Sequence, residues 1–99
     1  MHTVEMDAYV VDTLMADLVG HDRQPSAFIV YLLLWRRTHG AGLSTIQVSL
    51  LDLTVGTGLS KRAVQQALLW LSKRRLISIR RESITAIPVY TVKRPWVRA

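Results

Sequence analysis

The chain has 99 residues, enough for one domain and too few for two. Hydrophobic residues make up 49% of it, ample for a core. The absence of cysteine excludes disulfides and thiolate metal sites and fits a reducing cytoplasm. All thirteen Lys and Arg residues follow Asp22, where only Asp52 and Glu82 oppose them, leaving +11 over residues 23–99 against −5 over residues 1–22. Such segregation points the main body toward a polyanionic partner, with nucleic acid foremost.

The acidic segment 1–22 predicts a first helix over about Asp7–Val19. Val10, Val11, Leu14, Met15 and Leu18 recur at spacings of three and four, Asp7 can cap the start and Gly20 suits the stop. Gln24-Pro25-Ser26 opens a second helix, with proline preorganised for the first turn. Ala27–His39 follows, with Phe28, Leu32 and Trp35 on one face and Ile29 and Leu33 beside it. Arg36, Arg37 and His39 complement the helix dipole at its end, and Gly40 terminates it. The β-branched, alternating Ser44–Val48 predicts a brief strand. Ser49 and Asp52 form the ends of a capping box for a short helix that runs out at Gly56 or Thr57. Gly58-Leu59 makes a turn, and Ser60 caps a helix running to about Arg74.

After Leu76 the period changes to two. Ile77, Ile79 and Arg81 alternate with Ser78 and Arg80 as in a strand, Glu82-Ser83 reads as a loop tip, and a second strand covers roughly Thr85–Val92. Pro88 cannot donate to a ladder, which places that strand at a sheet edge. The tail, residues 93–99, is basic with one large aromatic, Trp96. The expected class is mainly α with a small β hairpin. The order is helix, helix, strand, helix, turn, helix, strand, strand, in a single domain spanning 1–99.

The helix after Ser60 carries the chemistry. Val64, Ala67, Leu68 and Leu71 fall on one side; Arg62, Gln66 and Lys73 fall opposite, with Gln65 near the edge. Arg and Gln make paired hydrogen bonds to guanine and adenine edges in a major groove. Ser60 and the free N–H groups of the first turn suit a phosphate. Leu69 falls among the polar residues and Trp70 beside them, which predicts contact with another element or a second protomer.

The stretch Ser49–Leu68, with its Gly58-Leu59-Ser60 turn, resembles the bacterial helix-turn-helix pattern. The continuation Leu71–Ile77 before a hairpin is similar to winged-helix transcriptional regulators. The likeness covers about residues 26–92 in element order and 44–81 in residue detail. Gly56 stands where a better helix former is usual, and Arg75 replaces a glycine common before the Leu-Ile pair. Leu69 and Trp70 stand where charged or polar residues are usual. The resemblance implies sequence-specific binding of double-stranded DNA. It implies contacts from Ser60, Lys61, Arg62, Gln65 and Gln66, from Arg80 and Arg81 on the wing, and secondarily from Lys73 and Arg74. A homodimer would suit a palindromic site. Two alternatives share the fold: a protein-interaction adaptor, and a replication-initiator or partition-type DNA-binding domain.

Other classes find little support. His2, His21 and His39 lack metal-site spacing. No serine lies in a nucleophile elbow, no glycine loop forms a phosphate cradle, and Asp52 and Glu82 make no catalytic pair. The expectation is therefore neither an enzyme nor a cofactor or small-molecule binder. Residues 1–22 hold five acids and no Lys or Arg, the reverse of a secretory leader. The apolar run Ala27–Trp35 is too short to span a bilayer.

Overall fold

In a computed structural model describing residues 2–97, Pro25 lies in the first turn of one helix, and Ser49 and Ser60 immediately precede two others. The elements in chain order begin with α1, made of Val10–Leu14 and Ala16–His21 joined at Met15, and α2, Pro25–Arg37. A 3₁₀ turn, His39–Ala41, leads to β1, Thr45–Gln47. Then come α3, Leu50–Thr57, and α4, Lys61–Lys73, followed by β2, Ile77–Arg80, and β3, Val89–Val92. The chain is thus mainly helical with a small antiparallel sheet ordered β1-β3-β2.

α1 is a helix, but its winding is π rather than α. Met15 N–H donates to the Val10 carbonyl, and Asp22 N–H to that of Asp17 at 2.8 Å. These bonds reach back five residues, so each turn holds more residues than in an α-helix. Val10, Leu14 and Leu18, every fourth residue, therefore share the buried line, while Val11 and Met15 are exposed. Gly20 does not stop the helix. The chain turns at Arg23, which adopts φ 57°, and Gln24 N–H closes onto the Leu18 carbonyl at 2.7 Å. Nor does the Asp7 side chain cap α1: it receives the Trp96 indole N–H at 2.9 Å instead.

α2 is the central helix, packed most extensively against α4 and flanked by α1. Its buried residues are Ala27, Phe28, Val30, Tyr31, Leu34 and Trp35. Leu32 and Leu33 are only half-buried and Ile29 is exposed, so the core face is rotated from the one expected around Phe28, Leu32 and Trp35. In an almost uniformly apolar run, periodicity cannot choose the face. The helix stops at Arg37, two residues early. The buried Thr38 hydroxyl donates back to the Leu34 carbonyl at 2.7 Å, and Gly42, not Gly40, takes the left-handed conformation at φ 77°.

The capping box at α3 is present. Asp52 N–H donates to Ser49 Oγ at 3.1 Å, and Ser49 N–H to Asp52 Oδ2 at 3.4 Å. Gly58 ends the helix at φ 76°. Gly56 has a packing reason: a Cβ there would meet Leu33 Cδ2 at 2.7 Å, so its absence lets α3 lie close on α2.

The sheet corrects one expectation. β3 is the middle strand, antiparallel to β1 and β2, with Ile46 and Ile79 both opposite Tyr90. Pro88 is compatible with this because β3 begins at Val89, later than expected. Its missing N–H leaves no gap in the ladder, and its carbonyl accepts from Val48 N–H at 3.3 Å. Tyr90 and Val92 point into the core shared by α1, α2, α3 and α4.

Candidate functional site

α4 is shaped by the residue that caps it and by its stripe. Ser60 Oγ accepts from Ala63 N–H at 3.1 Å, meeting one of the open donors of the first turn. Val64, Ala67, Leu68 and Leu71 are buried against the other helices, as their spacing predicts. Lys61, Arg62, Gln65, Gln66 and Leu69 consequently face outward, and all five are exposed.

The chain leaves α4 by a sharp bend. Arg75 adopts φ 58°, the left-handed region where glycine is cheapest. Leu76 N–H bonds the Leu71 carbonyl at 2.9 Å, and Leu76 and Ile77 enter the core. This bend folds the β2–β3 hairpin back beside α4. Between them lies an open groove of about 770 Å³. One wall carries Lys61, Arg62, Gln65 and Gln66; the other carries Arg81 and the hairpin loop from Ile84 to Pro88. None of the lining residues is acidic. No family model, curated protein or solved structure matches the chain.

The remaining sequence-predicted residues lie elsewhere. Ser60 is exposed at the helix start, bonded to its own cap. Arg80 is exposed but does not line the groove, since strand alternation turns it to the face opposite Ile79, which does. Lys73 sits 5.3 Å over the Trp70 ring. Arg74 Nε lies 3.4 Å from Asp22 Oδ2, and the Trp70 indole N–H donates to that same oxygen at 2.9 Å. Of the pair expected to meet another surface, Trp70 thus meets the end of α1 in its own chain, whereas Leu69 stays 70% exposed.

Asp22 is the hub of that contact. Its side chain is only 3% exposed. Burial pushes the carboxyl pKa up, but hydrogen bonds from His21 and Trp70, with the charges of Arg74 and His21, outweigh it and hold the group below its ordinary value. A second acid, Asp7, gathers the tail. Arg94 Nη1 lies 3.4 Å from Asp7 Oδ2, and Trp96 stacks on Tyr9 at 4.6 Å between centroids. The Tyr31 hydroxyl donates to the Lys93 carbonyl at 2.9 Å, and burial raises its pKa, keeping it neutral.

Sequence reasoning missed the aliphatic part of the groove. Ile79, Ile84 and Ile87 line it and are exposed. The available signal was an isoleucine beside the Glu82-Ser83 loop tip, where no core is within reach. Among the described residues, no group of His, Asp or Glu is placed to hold a metal ion, and no helix is long and apolar enough to cross a membrane.

Proposed function

We propose that this chain is a winged helix-turn-helix protein that binds double-stranded DNA, most simply as a cytoplasmic transcriptional regulator and not as an enzyme. The observation that carries the reading is the acid-free groove between α4 and the hairpin, where Lys61, Arg62, Gln65, Gln66 and Arg81 converge. The sheet order β1-β3-β2, with α3, a glycine turn and α4 preceding the hairpin, supports the winged-helix part.

In this reading α4 enters the major groove from its Ser60 end. Arg62 and Gln66, one turn apart on the exposed face, address base edges, with Gln65 beside them. Lys61 and Arg81 neutralise phosphates on either side, releasing counterions and fixing orientation without reading sequence. The test is a salt titration of binding to duplex DNA. Affinity should fall steeply as salt rises, with a logarithmic slope of about −0.9 for each phosphate contact; an affinity indifferent to salt would reject the reading.

The exposed Leu69 favours a second reading, an adaptor that docks a protein on the same helix face. Failure to bind DNA at low salt, with a stable protein complex abolished by Leu69→Ser, would select it.

A further inference from the structure

The hairpin tip carries a side chain that neither core nor ladder explains. Ile84 is 94% exposed. It sits in the turn closed by Ala86 N–H on the Ser83 carbonyl at 3.2 Å, with the Ser83 and Thr85 hydroxyls 3.4 Å apart on either side of it in sequence. A single exposed aliphatic residue is ordinary on a protein surface. Three features set this one apart: it occupies a turn tip, it follows Arg80 and Arg81 with the single acid Glu82 between, and it lines the same groove as Arg62 and Gln66.

Cations at the base of an aliphatic tip suit one kind of contact with a duplex. The cations offset phosphate charge where the strands close in, and the aliphatic group enters between base pairs from the minor groove, unstacking a step and bending the helix axis. Charge argues against a second copy of the chain as the occupant, because tip-to-tip contact would bring Arg80 and Arg81 of both copies together.

We propose that Ile84 is a DNA wedge. Resting on the DNA-binding reading above, the inference adds that the hairpin tip enters the minor groove beside the segment read by α4 and bends the duplex there. The preferred target then has a deformable pyrimidine–purine step, TA or CA/TG, flanking the bases that α4 reads. Such steps unstack at least cost.

The experiment uses the full chain and duplexes selected from a random pool, labelled with a dye at each end, so that energy transfer reports bending. The parent should shorten the end-to-end distance as expected for a bend of roughly 20–90°. Ile84→Ala should abolish the bend and lose roughly tenfold in preference for duplexes carrying the flexible step. Ile84→Leu should keep both. Thermal melting of each variant checks that the fold is intact. A duplex left straight by the parent, or bent equally by Ile84→Ala, overturns the wedge and leaves DNA binding standing. Self-association that depends on Ile84, with the duplex left straight, overturns it in favour of a protein contact. No binding by the parent at low salt overturns the DNA reading itself.

Discussion

At the C-terminal end of α4, Arg74 and Trp70 are held by the buried Asp22 carboxylate. At its N-terminal end, Lys61 and Arg62 face an open groove and make no ion pair among the described residues. One helix therefore puts its basic residues to two uses. Every ion pair among the described residues draws its acid from the first 22 positions, either Asp7 or Asp22. The acidic segment neutralises one flank of the basic body and leaves the α4–hairpin flank uncovered. Charge that is merely segregated along the chain is, in the fold, partly paired on one side and left free at Lys61, Arg62 and Arg81 in the groove.

Four probes, five substitutions and an acid titration among them, would break or sharpen that contrast. Arg62→Ala and Gln66→Ala, on the open flank, should each weaken binding to the best DNA site by about 1–3 kcal/mol if bidentate contacts are lost. Denaturant midpoints should stay close to the parent's. An equal affinity with reduced stability would reverse their roles. Trp70→Phe, on the closed flank, should behave the other way. It removes the hydrogen bond to the buried Asp22 carboxylate and should cost about 2 kcal/mol in urea unfolding, with DNA affinity at most slightly changed.

Acid provides a third probe. The Asp22 pKa lies below its ordinary value, so its contribution to stability is complete above about pH 4 and is lost as pH falls through the lowered folded value. Melting temperature should drop over that acidic window, and Asp22→Asn should flatten the drop while lowering stability at neutral pH. The smallest effect belongs to the bend joining the two flanks. Arg75→Gly relieves a left-handed non-glycine residue and should stabilise the fold by about 0.5–1 kcal/mol; destabilisation would mean that the arginine side chain contributes more than its backbone costs.

α4 was legible because its signals agree. A serine cap, a four-residue apolar stripe and a polar face all describe one helix, and Val64, Ala67, Leu68 and Leu71 are buried accordingly. The Ser49–Asp52 box was legible for the same local reason. α1 was legible as a helix but not as a π-helix, since spacings of three and four suit either winding until tertiary contacts choose. The face of α2 was hidden by the apolar run itself. Pro88 misleads because β3 begins at Val89, and one residue decides whether a proline sits in a ladder or just before it. The Asp22–Trp70 contact joins positions 48 residues apart, and no local pattern announces such a pair. The polar and basic side of the groove is legible residue by residue, its isoleucines are not, and the hollow itself exists only once the Arg75 bend has folded the hairpin beside α4.

The stack of Tyr9 on Trp96 has a topological consequence. Residues at opposite ends of the described chain are neighbours, fastened further by Asp7. A nick at the exposed 82–85 tip would therefore leave the two fragments joined through that clasp, with the packed interior continuous.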